Sequence, residues 1–251
     1  MKARSAMRWL RHHRARYGWG RALAGRLAVC GLAMTAVVRP DPASATTPAT
    51  SQPTAMTPAA MRFPAGSRVE PLADRLWLYG LPLQAVVFDA PVDVPELIRT
   101  LSRQQPALRD LMVLPGVAIL SGRLGDALWM AVLESPVAGR SVGSVSSLLV
   151  STTRQDAPLP VWLPPAARLR LDVVVADGGV RMSERIWQHP LPPARLASVI
   201  RQGLRRHGWE DDGKRADAGD WQSWRRRGER LDWLLLPLDA GSGLWIRRWV
   251  P

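Results

Sequence analysis

Hydrophobic positions change period several times between residues 69 and 251, and each change marks an element. Val86 and Phe88 alternate against Val87 and Asp89, a period of two that predicts short strands at 76–81 and 84–90. After Asp93 the spacing lengthens. Leu97, Leu101 and Leu108 fall on one face and Pro95 suits a first turn, so a helix is predicted there. Pro106 should interrupt it, leaving a second short helical segment through Leu111 and Met112 that Pro115-Gly116 ends. Strands at 117–121 and 127–134 follow, divided by a hairpin turn at 122–126.

A similar order returns downstream. Segments 169–176 and 180–188 flank Asp177-Gly178-Gly179, a hairpin signal. Pro192-Pro193 opens a helix whose stripe is Leu196, Val199, Ile200 and Leu204, with Arg201, Arg205 and Arg206 near its end and Gly208 as the cap. A polar loop over 210–220 and strands at 221–227, 231–236 and 244–250 complete the chain. At an offset of 99, residues 89–101 lie over 188–200 without a gap, matching Pro91 with Pro190 and Leu97 with Leu196. Between the two units, 142–153 suits a β-segment, and the prolines of 157–165 suit a boundary. The expected fold class is α+β: small antiparallel or mixed sheets with helices packed on one face. Its expected organisation is two βαββ-type lobes at 68–156 and 157–251, with one continuous domain over 68–251 as the alternative. The βαββ order resembles small assembly modules of envelope secretion machines in architecture, which implies an assembly or secretion role without a diagnostic motif.

The first 45 residues have a different character. Eight Lys/Arg precede the uncharged run 27–38, and the small-residue triplet Ala43-Ser44-Ala45 follows. This order describes a secretory signal peptide cleaved ahead of Thr46. Twelve apolar residues fall short of the roughly 20 that span a bilayer, so membrane contact is expected only during export. An uncleaved 27–38 anchor is the alternative. Cys30 follows Val29 rather than a small residue, and the apolar run continues past it, which argues against lipidation. Residues 46–67 are rich in Thr, Pro and Ala and read as a disordered linker.

Removing the leader changes the charge. The whole chain carries 34 Lys/Arg and 21 Asp/Glu; nine and one of these lie in 1–45, leaving 25 and 20, a net of +5 instead of +13. That balance gives no footing for nucleic-acid binding. The sole cysteine leaves with the leader, so disulfides, thiol nucleophiles and cysteine-ligated metals are all excluded from the exported chain.

Catalytic patterns are missing. His189 and His207 are isolated at a strand end and a helix end, and no metal-binding, P-loop or dinucleotide motif occurs. Asp211, Asp212, Asp217 and Asp220 do not have calcium-loop spacing. No cofactor, metal or catalytic residue is expected. Tryptophan is the positive anomaly: seven of the chain's 12 follow residue 180. Trp245, Arg247 and Trp249 share one face of the last strand, and both residue types are enriched at interface hot spots. Core packing with arginine stacking competes with that reading. The expected function is an exported, non-catalytic envelope or accessory protein that binds another protein; a glycan-binding module is the rival, and a hydrolase comes third.

Overall fold

A computed structural model describes residues 56–150, 157–215 and 221–251. The cleavage triplet, Thr46, Asp217 and Asp220 lie outside the described residues, as does the 46–55 part of the stretch expected as a linker. Residues 58–67 at the end of that stretch pack onto the fold: a 3-10 turn at Pro58–Ala60 brings Met61 into the core, and the Phe63 ring lies 5.2 Å from that of Phe88.

The strands are β1 (Arg68–Pro71), β2 (Arg75–Leu78), β3 (Leu81–Ala90), β4 (Asp110–Leu114), β5 (Val117–Leu124), β6 (Ala127–Val137) and β7 (Arg140–Leu149). They continue as β8 (Arg168–Asp177), β9 (Val180–His189), β10 (Glu210–Arg215), β11 (Gln222–Arg226), β12 (Glu229–Leu238) and β13 (Gly241–Val250). Helix α1 (Val94–Gln104) follows β3, and α2 (Pro193–Arg206) follows β9. The 13 strands of the described residues form one antiparallel sheet, ordered β10-β11-β12-β13-β9-β8-β2-β3-β7-β6-β5-β4, with β1 paired to β3.

This overturns the α+β expectation. The described residues form mostly one sheet with two short helices, not a set of small sheets under helical layers. Two causes account for the difference. The segment 110–114, expected as a helical tail, is β4; Pro115 and Gly116 form the turn into β5, with Gly116 at φ +77°. Proline at the second turn position and a left-handed residue at the third are what a type II turn requires. Likewise 210–215, expected as loop, is edge strand β10. Second, β2 pairs with β8 through Arg75–Leu78, so the hairpins β2–β3 and β8–β9 join edge to edge. That pairing fuses the two halves into a single sheet.

Each half repeats one order: hairpin, helix, four-strand meander returning beside the hairpin. Ser141 Oγ donates to Val92 O and Ser242 Oγ to Leu191 O, both at 2.7 Å, with both serines fully buried. Each bond satisfies a carbonyl just ahead of a helix and fixes the angle at which the chain enters it. Leu97 and Leu101 of α1, and Leu196, Ile200 and Leu204 of α2, are completely buried, as their spacing requires. The α1 core gathers Val86, Phe88, Leu120, Trp129, Leu133 and Val145; the α2 core gathers Trp187, Trp209, Trp224, Leu231, Trp233, Leu244 and Ile246. By strand alternation these residues share one face of the sheet. The opposite face carries no helix among the described residues.

Candidate functional site

Cross-strand register builds the helix-free face row by row. One row of directly paired residues runs Leu128, Leu148, Leu83, Leu76, Val175, Met182, Trp249 and Arg230. It crosses the β2–β8 seam without a polar interruption and ends where the Arg230 guanidinium lies 5.1 Å from the Trp249 ring. A neighbouring row carries charge: Glu184, Arg247 and Asp232 are direct partners on β9, β13 and β12. The next is apolar again, with Ile186, Trp245 and Leu234.

All three residues singled out from the sequence, Trp245, Arg247 and Trp249, therefore sit together on this face, each half-buried. The structure adds neighbours that no local pattern revealed. Trp221, just ahead of β11, meets Trp245 edge-on at 5.4 Å, and Arg247 stands 4.8 Å from both rings. Arg247 Nη2 reaches Glu184 Oε1 at 3.4 Å. Arg230 makes a two-pronged bond to Asp232, 2.9 and 2.7 Å, and this hydrogen bonding holds its guanidinium above its already high ordinary value. Stacked rings and paired charges hold long side chains in fixed places, which lowers the entropic cost of presenting them to a partner. The signal for these neighbours was the Trp221 position itself, which gains meaning only once β11, β12 and β13 are in register.

Beyond the ladder the same face ends in a leucine ledge. Leu236 and Leu238 of β12 are 46% and 45% exposed and border Gly243, where an added Cβ would sit 3.7 Å from Leu238. The ledge and ladder form one surface of mixed aromatic, arginine and aliphatic character.

The histidines do structural work. Leu191 N–H donates to His189 Nδ1 at 3.0 Å, so Nε2 carries the proton and donates to Pro165 O at 3.0 Å. His189 thereby ties the proline-rich segment to the entry of α2. His207 Nδ1 lies 2.8 Å from Gly203 O at the end of α2. Asp211 accepts from Gly213 N, and Asp212 pairs with Arg225 at 3.0 Å. No group of three or more potential metal ligands occurs among the described residues. A cleft of about 560 Å³ at the β11–β12 turn is lined by Arg225, Arg226, Arg227 and Arg230. Three of these arginines are already committed to Asp212, Glu229 and Asp232.

No helix of the described residues is long and apolar enough to cross a membrane. No protein-family model matches the chain, and neither does any curated protein or solved structure.

Proposed function

We propose that this chain is an exported, non-catalytic binding protein of the cell envelope, and that it captures a protein partner on the helix-free face of its sheet. The observation that carries the reading is the ladder of half-buried Trp245, Arg247 and Trp249, backed by buried Trp221 and ended by exposed Arg230, beside the exposed Leu236–Leu238 ledge. Tryptophan and arginine are enriched at interface hot spots, tryptophan because it buries a large area with only two side-chain torsions and arginine because its planar fork bonds in fixed directions. Here their geometry is set in advance by neighbouring rings and carboxylates. The stacking also disfavours the glycan alternative, because guanidinium groups already lie over the Trp245 and Trp249 rings that a sugar would need.

The test separates binding from folding by using the ledge, whose side chains are exposed. A photo-reactive residue at Leu236 or Leu238 should cross-link one envelope protein in the native host. The pair Leu236→Asp and Leu238→Asp should weaken that complex at least tenfold without altering circular dichroism. Undiminished binding, or capture by purified cell wall in place of protein, overturns the reading. The export part is read separately by N-terminal sequencing of the processed chain. Thr46 is expected first, and a first residue of Met1 or Met7 refutes it.

A further inference from the structure

The two outer edges of the sheet are built in opposite ways. Edge strand β10 reads Glu-Asp-Asp-Gly-Lys-Arg, and its register with β11 shifts between Asp211 and Arg215. Charge and a bulge are standard means of keeping an edge from pairing further. Strand β4 occupies the same place in the other half, has no bulge, and carries a single charge, Asp110 at its start. It reads Asp-Leu-Met-Val-Leu, pairs with β5 in unbroken register, and all five residues are exposed, Val113 at 71%. Leu111 and Val113 lie on one face and Met112 and Leu114 on the other, so an incoming strand would meet apolar side chains on both sides. Helix α1 packs toward β6 and β7 and leaves this edge open.

We propose that β4 is a docking edge for β4 of a second copy of this chain, paired antiparallel about Met112. In that register Met112 faces its own counterpart, Leu111 faces Val113 of the other copy, and Asp110 faces Leu114. No like charges oppose each other, and residues of one face meet residues of the same face. The chain already makes such a join internally, since β2 and β8 hold its two halves together edge to edge over four residues. The opposite edge is closed by its charge and bulge, so pairing stops at a two-fold dimer rather than propagating as a filament. The chain's own segment 46–57 is a poor occupant, because Pro48 and Pro53 lack the N–H groups a ladder needs. A five-residue edge is a small interface, of the size class of weak, reversible association.

Sedimentation equilibrium of the full chain carrying Cys30→Ser should show a reversible monomer–dimer equilibrium. Met112→Lys places two ammonium groups opposite each other and should weaken it at least tenfold, with unchanged circular dichroism. Met112→Cys should form a disulfide-linked dimer under mild oxidant, at least tenfold faster than Leu111→Cys or Val113→Cys, since only residue 112 meets itself in this register. A chain that remains monomeric well above the micromolar range overturns the proposal. So does a dimer indifferent to Met112→Lys, and so does a photo-cross-linker at 112 that captures a different protein while the chain alone stays monomeric.

Discussion

Gly203 lies inside α2, where replacement by alanine should ordinarily stabilise a helix by about 1 kcal/mol. The surroundings reverse that expectation. A Cβ at Gly203 would lie 2.3 Å from the carbonyl oxygen of Trp162 and 3.1 Å from its carbonyl carbon. Both atoms are backbone, so the clash is relieved only by moving the chain at 160–163 away from the helix. That chain is held by the Leu163 N–H bond to Pro160 O, and it buries Trp162 and Leu163 against the α2 core. Overpacking of this kind costs about 2–3 kcal/mol. Set against the helix gain, Gly203→Ala should destabilise by about 1–2 kcal/mol, and a domain of this size should lose roughly 4 °C in melting temperature. Urea denaturation followed by circular dichroism measures the change. Hydrogen exchange at the Leu163 amide identifies its cause: protection should fall in Gly203→Ala. It should not fall in Gly208→Ala, where φ is +75° and no neighbouring atom lies within 4 Å of the added Cβ. A Gly203→Ala protein that gains stability, or keeps full Leu163 protection, refutes the reasoning.

Ser242→Ala should cost about 1–2 kcal/mol, because it strips the Leu191 carbonyl of a buried donor; Ser141→Ala should match it, and unequal losses in urea would deny the equivalence of the two helix entries. Asp172 is buried and accepts from Arg185 Nε at 2.8 Å, so Asp172→Ala should cost about 2 kcal/mol, less than a fully buried pair because Arg185 keeps some solvent; a neutral result in thermal melts would show the pair to be dispensable. The indole N–H of Trp224 donates to no acceptor among the described residues, so Trp224→Phe should stay within about 1 kcal/mol of the parent, as the lost volume is offset by removal of an unsatisfied donor; Trp224→Ala should cost about 3–5 kcal/mol, and similar losses for the two would contradict this.

Much of the local structure was legible in the sequence. The stripes Leu97–Leu101 and Leu196–Ile200–Leu204 marked both helices, and the glycines after Asp177 marked the β8–β9 hairpin. Strand β4 has no legible pattern because four consecutive apolar residues carry no period of their own, although Pro115-Gly116 between two apolar runs is a hairpin signal. Strand β10 reads as a loop because a protective edge is built from the charges and glycine that also make loops. The merger of the halves was invisible for a different reason. Pairing of β2 with β8 joins residues about 100 positions apart and has no local signature. The candidate face followed the same rule: its spacing along β13 was readable, but Trp221, Glu184 and Arg230 enter it only through the register of other strands.

The uneven placement of indoles has a practical consequence for anyone following unfolding. Eight of the ten tryptophans among the described residues lie from Trp162 onward, while the other half contributes Trp77 and Trp129. Fluorescence is therefore weighted toward one half of the sheet, and circular dichroism reports on both evenly. If the seam makes the sheet a single cooperative unit, the two transitions coincide. A gap between them would show that the four residue pairs at β2–β8 do not couple the two halves into one transition.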